Sequence, residues 1–181
     1  MRSAQLGDTD AFNRLVETYQ VLAYNVAYRT LGDRDDAADA TQEAFLSAYR
    51  AIDGLRGGSF KSWLLRIVVN ACYDLRRRER RRPAASMDKM VEDLGEAPWA
   101  DDDAPDPEGV AISHQTLATI EHALAEIPED QRVVITLVDM QGCSYEEAAD
   151  VMSCAIGTVR SRLARGRARV RDLLVAEGNL S

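Results

Sequence analysis

Apolar residues recur at helical spacing along most of the chain. From Phe12 they run Leu15, Val16, Tyr19, Leu22 and Val26. This is the i, i+3, i+4 pattern of an amphipathic helix, and Gly32 provides its stop. The same criterion predicts further helices over about 35–52, 59–82, 112–127, 129–140 and 144–152, and one from residue 158. No segment alternates at period two, so the sequence predicts an all-α fold.

Proline and acidic residues are concentrated in one connecting stretch. Residues 83–111 contain four of the five prolines and nine acidic residues, with a single lysine. A segment of this composition is typical of disordered or extended linkers. We therefore predict two small helical modules, 1–82 and 112–181, joined by a flexible acidic linker at 83–111.

The overall charge hides two basic patches. The chain of 181 residues has a formal net charge of -8. However, residues 76–82 include six arginines and one glutamate, and residues 151–171 include six arginines and no acid. A phosphate backbone responds to local charge, so both patches are candidates for nucleic-acid contact.

The second module contains the signature of a helix-turn-helix. Ser144 and Glu147 are spaced as a capping box, which begins a short helix. Residues 153–157 then form a tight connection to a longer helix from Thr158. Two helices joined by so short a turn favour a DNA-binding motif whose second helix enters the major groove.

A helical wheel divides the longer helix into faces. Its buried side gathers Val159, Leu163, Gly166, Val170, Leu173 and Leu174. The opposite side has Ser161, Ala164, Arg165 and Ala168, whose small members allow close approach to base edges. Arginines flank this side and are spaced to reach both phosphate strands. The alternative is a solvated, arginine-rich face on an ordinary helix.

Five segments together resemble one protein family. In the second module they are 124–132 (LAEIPEDQR), 142–149 (GCSYEEAA) and 157–163 (GTVRSRL), and in the first 36–45 (DAADATQEAF) and 60–70 (FKSWLLRIVVN). They resemble the extracytoplasmic-function (ECF) sigma factors of the sigma-70 family. The resemblance implies a transcription initiation factor whose first module binds core RNA polymerase and reads the promoter -10 element. The second module would then read the -35 element.

Three residue sets follow from the faces and from this resemblance. The -35 set is Thr158, Arg160, Ser161, Arg162, Ala164, Arg165, Arg167 and Arg169. The -10 set combines charge, an amide and an aromatic ring, as single-strand binding requires: Arg56, Lys61, Arg66, Asn70, Tyr73, Arg76 and Arg77. The set expected by resemblance to meet the clamp helices of the largest polymerase subunit is Asp39, Gln42, Glu43, Leu46 and Tyr49.

The sequence gives little support for an enzyme, a metal site or a redox function. His114 and His122 lack the neighbours of a metal site, and no phosphate-binding loop or nucleophile elbow occurs, so we expect no enzyme, no metal and no cofactor. A redox role for Cys143 and Cys154 is a less favoured alternative to simple burial.

The expected partners are promoter DNA, core RNA polymerase and an anti-sigma protein. No apolar run is long enough to cross a membrane, and we expect a cytoplasmic location. Two alternative functions remain open: a regulator that binds operator DNA without polymerase, and a protein adaptor that does not bind DNA.

Overall fold

The computed structural model describes residues 1–81 and 119–176, and within these ranges it contains helices and turns but no strand. The predicted linker at 83–111 and the predicted helix start at 112 lie outside the described residues. The all-α prediction is confirmed. The helices are α1 (Arg2–Gln5), α2 (Thr9–Leu31), α3 (Arg34–Ala51), α4 (Phe60–Arg81), α5 (119–125), α6 (Glu129–Ile135), α7 (Tyr145–Val151) and α8 (Ile156–Ala176).

The first module packs α2, α3 and α4 against one another. Asp8 caps α2, its carboxylate accepting from the backbone N–H of Ala11 at 3.0 Å, and Gly32 ends the helix in the left-handed conformation. The buried side of α3 consists of alanines alone: Ala37, Ala40, Ala44 and Ala48. Such small side chains let helix backbones approach closely, which brings α3 against both of its neighbours.

The second module is built around α8. Helix α6 crosses it at Gly166, where an added Cβ would lie 2.8 Å from Ile135 Cδ1 and 3.2 Å from Gln131 Cβ. The predicted helix over 129–140 is interrupted, because its last five residues, Thr136–Met140, form a π-helical turn. Helix α8 begins at Ile156, two residues before its predicted start.

The two modules contact each other. Helix α4 packs against α7, and α2 packs against α6 and the π-helical turn. We call this contact the seam. It includes an ion pair between Arg29 and Glu121 at 3.3 Å and a hydrogen bond from Ser62 Oγ to Glu147 Oε1 at 3.2 Å. None of the seam was anticipated from the sequence.

Candidate nucleic-acid interface

The helix-turn-helix forms as predicted. Ser144 Oγ accepts from the backbone N–H of Glu147 at 3.1 Å, and a Glu147 carboxylate oxygen accepts from the backbone N–H of Ser144 at 2.9 Å. This confirms the capping box at the start of α7. The turn into α8 places Ser153 at a φ of 50°, a left-handed conformation that is uncommon for residues other than glycine. The chain thus leaves the helical conformation at Ser153, between the two helices of the motif.

The outward face of α8 is exposed along its first half. Ser161, Ala164 and Arg165 are all exposed, whereas Val159, Leu163 and Gly166 are buried against the module. Arg165 lies back along its own helix, with Nε donating to the carbonyl oxygen of Ser161 at 3.2 Å. Apart from Arg165, the exposed strip carries only the small side chains of Ser161 and Ala164, which suits close approach to base edges.

The flanking arginines are held by their own module. Arg167 donates two hydrogen bonds to Asp139, through Nε at 2.9 Å and through Nη2, and this bonding raises the pKa of its guanidinium. Arg162 Nε lies 2.9 Å from an Asp130 oxygen, and Arg169 Nη1 donates to Gln131 Oε1 at 3.1 Å.

A fourth arginine of the -35 set is held by an aromatic ring. The Arg160 guanidinium lies over the Tyr145 ring, 5.7 Å from its centroid. Thr158, at the start of the helix, is half-buried and contributes its carbonyl oxygen to a hydrogen bond with Ser161 Oγ at 3.0 Å. The acids and the glutamine that hold these side chains were not identified from the sequence, although Asp130 and Asp139 lie on the element next to α8.

The -10 set does not form one surface in this structure. Arg66, Asn70 and Arg77 are exposed and share a face of α4, and Arg56 is exposed in the loop before it. Lys61, Tyr73 and Arg76 instead lie at or beside the seam. The difference arises because the second module covers one side of α4, which the periodicity of α4 alone could not reveal.

The three residues at or beside the seam have defined surroundings. Lys61 Nζ donates to the carbonyl oxygen of Gln141 at 2.9 Å, and Arg76 donates to the carbonyl oxygen of Leu31. Burial, and after it the negative charge of Glu129, raises the pKa of Tyr73 to about 12. Tyr73 is therefore half-buried beside the second module, rather than on an open face as the sequence suggested.

A groove lies between α3 and α4 on the other side of the first module. It has a volume of about 560 Å³, and the residues of the expected polymerase-binding set that line it are Asp39, Gln42, Glu43 and Leu46. From α4 the groove is lined by Asn70, Asp74 and Arg78, among others. Asn70, a member of the -10 set, thus lines the same groove as most of the expected polymerase-binding residues.

Two apolar side chains remain exposed along this part of α3. Leu46 is 44% exposed and Tyr49 is 46% exposed. The Tyr49 ring packs edge-on against Phe12, with 5.0 Å between ring centroids. A leucine and an anchored tyrosine beside acids and amides form the mixed surface that is typical of protein interfaces.

The described parts of the chain contain no candidate metal site and no candidate membrane-spanning helix. Residues 1–81 and 119–176 contain no group of His, Cys, Asp or Glu side chains arranged to hold a metal ion. Over the same ranges, no helix is sufficiently long and apolar to cross a bilayer. Cys72 and Cys143 are buried, and Cys154 is half-buried. Burial raises the pKa of Cys72 to about 12 and also raises that of Cys143, which makes neither thiol a ready nucleophile.

Known proteins are similar to this chain over both modules. Residues 15–82 match sigma-70 region 2, and residues 117–170 match sigma-70 region 4. The RNA polymerase sigma-H factor of Pseudomonas aeruginosa is 38% identical over 172 residues, which cover 94% of this chain and 89% of that protein. The ECF RNA polymerase sigma-E factor of Escherichia coli is 39% identical over 165 residues, covering 90% and 86%.

Two solved structures share the fold. CnrH in complex with the cytosolic domain of CnrY has a TM-score of 0.68 at 28% identity, covering 97% of this chain and 94% of that one. The sigma factor RpoE in complex with the anti-sigma factor NepR from Bartonella quintana has a TM-score of 0.73 at 29% identity, covering 91% and 96%. The chain therefore belongs to the sigma-70 family, in its ECF branch, and is a sigma factor that directs promoter-specific initiation of transcription by RNA polymerase.

Proposed function

We propose that α8 reads the -35 element in duplex DNA through Ser161, Ala164 and Arg165. The observation that carries this assignment is the contrast between the exposed strip of α8 and the arginines beside it. The flanking arginines are positioned by Asp130, Asp139, Gln131 and Tyr145, which favours contact with phosphates on either side of the groove. Among the described residues, Arg165 bonds only to its own helix, through Nε, so the rest of its forked guanidinium is available for a guanine edge.

The α3/α4 groove is our proposed docking site for core polymerase. Asp39, Gln42, Glu43 and Leu46 come together there, and Tyr49 continues the same exposed side of α3. The exposed stripe of Arg66, Asn70 and Arg77 begins at the border of this groove. Polymerase bound in the groove would therefore lie next to the strand that the first module captures.

The -10 set is proposed to hold the melted nontemplate strand. Arg56, Arg66 and Arg77 supply positive charge, Asn70 supplies an amide, and Tyr73 supplies a ring for stacking. Extracting a base from a duplex costs a few kcal/mol, which these contacts and polymerase together must offset. Of the residues beside the seam, Lys61 is held by the second module and Tyr73 lies next to its α6, whereas Arg76 is held by the Leu31 carbonyl of its own module.

We further infer that an anti-sigma protein binds this chain and that the chain acts in the bacterial cytoplasm. The support for the first inference is that the two solved structures named above are complexes, one of them with an anti-sigma factor by its description. The support for the second is that the relatives are RNA polymerase factors, whose template is the bacterial chromosome.

The test is run-off transcription from a library of randomised promoters, with and without bacterial core RNA polymerase. We expect transcripts only when chain and core are both present, and we expect them to share paired -35 and -10 sequences. Tight binding of the chain alone to a palindromic duplex, without transcripts, would instead support an operator-binding regulator.

A matched pair of substitutions tests the groove. Leu46→Asp places a charge inside the groove and should weaken the affinity for core polymerase about tenfold. Ala38→Asp adds the same charge at an exposed position of α3 that does not line the groove, and should leave that affinity unchanged. Equal losses in the two variants would show that the groove is not the docking site.

A further inference from the structure

Helix α1 contributes to none of the surfaces described above, yet it is tied to the loop that leads into α4. The side-chain amide of Gln5, the last residue of α1, donates from Nε2 to the carbonyl oxygen of Leu55 at 2.7 Å. This hydrogen bond is partly buried and joins residues 50 positions apart in the sequence. We call residues 55–59 the Arg56 loop, after the member of the -10 set that they include.

Helix α1 is itself fixed to the body of the first module. Its Ala4 is 3% exposed and belongs to the hydrophobic core. After α1 the chain turns at Gly7, which has a φ of 88° and whose backbone N–H donates to the carbonyl oxygen of Ala4 at 3.1 Å. Asp8 follows at once and caps α2. The Gln5 side chain therefore extends from an element that is anchored at both ends.

The hydrogen bond from Gln5 fixes the peptide group that precedes Arg56. The backbone N–H of Leu55 donates to the carbonyl oxygen of Ile52 at 3.2 Å, and its carbonyl oxygen accepts from Gln5. Both polar backbone groups of Leu55 are thus bonded. Because a peptide group is planar, holding the Leu55 carbonyl also orients the plane that contains the backbone nitrogen and Cα of Arg56. Gln5 thereby sets the direction in which the Arg56 side chain leaves the loop.

On its other side, Arg56 has no comparable anchor within the described residues. Gly57 and Gly58 follow, with φ of 73° and 80°, and glycine adopts positive and negative φ about equally readily. Arg56 is exposed, and no hydrogen bond or ion pair within residues 1–81 and 119–176 engages it. Ser59 already belongs to the start of α4, where its Oγ accepts a backbone N–H at 3.4 Å. A pair of glycines thus separates Arg56 from α4, and the Leu55 carbonyl is its nearest fixed point.

The Arg56 loop is open to a ligand but needs support to recognise one. An added Cβ at Gly57 or Gly58 would have no neighbour within 4 Å, so a bound strand could approach the backbone there. Binding groups discriminate well only when they are held within about 0.5 Å of the productive position, and loops hold them less precisely than helices do. The loop therefore requires a restraint from elsewhere in the module, and the Gln5 amide provides one.

We propose that Gln5 is a positioning residue for the -10 surface. Its amide holds the Arg56 loop in the shape in which Arg56 meets the melted strand, and Gln5 does not contact the strand. Helix α1 is thus a brace for promoter recognition. The bracing is a claim about this chain alone, whereas its effect on the promoter rests on the function proposed for Arg56.

The test compares one substitution at two glutamines. Gln5→Met keeps the length and the charge of the side chain but removes the N–H donor. Gln20→Met makes the same change at an exposed position of α2 that has no hydrogen bond from its side chain within the described residues. Gln5→Lys restores a donor that can reach the Leu55 carbonyl, and it serves as the rescue variant.

The first measurement is hydrogen exchange of the Leu55 amide in the free chain, followed by NMR. This amide exchanges when the loop opens locally. We expect Gln5→Met to raise its exchange rate about fivefold, as the loss of one net hydrogen bond predicts. Gln20→Met and Gln5→Lys should remain within about twofold of the wild-type rate. Equal rates in Gln5→Met and Gln20→Met, or equal acceleration at Leu55 and in the interior of α2, would overturn the brace.

The second measurement uses the chain bound to core RNA polymerase. The probe is a single-stranded oligonucleotide with the -10 sequence that the randomised promoter library yields. We expect Gln5→Met to lower the affinity for this probe about fivefold, although it changes no charge, because Arg56 is no longer held in place. Arg56→Ala should cause a similar loss, and adding Gln5→Met to Arg56→Ala should have no further effect.

The outcomes separate the brace from its role at the promoter. Faster exchange at Leu55 with unchanged affinity for the oligonucleotide would overturn the role at the promoter and leave the brace intact. Additive losses in the double variant would show that Gln5 does not act through Arg56, which also overturns that role. If the run-off assay yields no promoter, the function proposed for Arg56 fails, whereas the exchange experiment still decides the brace.

Discussion

The two proposed nucleic-acid surfaces of this chain are organised in different ways. The α8 surface is completed within one module: acids and an amide of α6 and the turn after it, together with the Tyr145 ring, hold the arginines on either side of the exposed strip. The α4 surface depends on where the other module lies, because three of its seven residues are at or beside the seam. The proposed duplex surface is thus complete within the second module, whereas the proposed single-strand surface is partly in contact with the other module.

The largest effect we expect comes from breaking the packing beneath α8. Gly166→Val places a branched side chain where even a Cβ would lie 2.8 Å from Ile135 Cδ1. Overpacking of this kind costs about 1 to 3 kcal/mol, and the rigid surface should lose its -35 discrimination as α8 shifts. Urea unfolding followed by circular dichroism measures the change in free energy.

Gly157→Ala is the control for this substitution. Gly157 also lies in α8, but nothing lies within 4 Å of an added Cβ there. Alanine should therefore be neutral or stabilising at this position. Equal destabilisation of the two variants would contradict a role for close packing at Gly166.

The next largest effect concerns the specificity of binding to the -35 element. Arg165→Ala should cost about 1 to 3 kcal/mol of binding at one -35 position, because it removes a forked base contact. The measurement is promoter binding by the chain together with core polymerase, over all variants of the -35 element. Arg171→Ala removes an exposed arginine from the flank and should weaken all variants by the same small factor. Unchanged discrimination in Arg165→Ala would exclude that arginine as a base reader.

A smaller effect should follow from releasing a flanking arginine. Asp139→Asn removes the carboxylate that holds Arg167 and takes a negative charge from the DNA side of the module. Non-specific duplex affinity at low salt should rise about three- to tenfold, while the ranking of -35 variants stays unchanged. Glu126→Gln removes one charge from an exposed acid of the second module that, within the described residues, pairs with no arginine of α8. If it produces an equal rise, overall charge and not the Arg167–Asp139 pair is responsible.

The smallest effect concerns the buried side of α4 and is a change of stability with pH. Cys72 is fully buried near Glu129, and its pKa is raised from 9.0 to about 12, chiefly by burial. Because the folded chain favours the protonated thiol, this contribution to stability is complete below pH 9 and is lost as pH rises toward 12. Between pH 8 and pH 10 the free energy of unfolding should fall by about 1 kcal/mol. Urea titrations should show this loss reduced in Cys72→Ala but not in Cys154→Ala, and an identical pH dependence in both would contradict it.

The sequence predicted the elements of the fold well because helix signals are local. Gly32 after α2, and Ser144 with Glu147 at the start of α7, act within a few residues of the ends they define. The four-residue helix α1 has too few positions to show a period. The π-helical turn at Thr136–Met140 keeps a helical pattern of apolar residues, so periodicity alone does not distinguish it from α-helix.

The candidate sites were predicted less completely because they depend on distant parts of the chain. A wheel of α8 identifies which arginines flank the exposed strip, but it contains no information about Asp130 or Asp139 on the neighbouring element. The helical wheel of α4 likewise contains no information about the surroundings of Tyr73. Its polar neighbours on α4 indicate an open face, and the residue that acts on it after burial, Glu129, is 56 positions away in the sequence.

The contacts that hold the flanking arginines have a consequence for the engineering of new gene circuits. The acids and the amide that position them lie on α6 and its π-helical turn, whereas the outward side of α8 carries the exposed Ser161, Ala164 and Arg165 and the half-buried Ala168. A designer could therefore randomise these four positions while keeping the supporting frame constant. Each resulting sigma factor would recognise its own -35 sequence. All of them would use the same polymerase without activating one another's promoters.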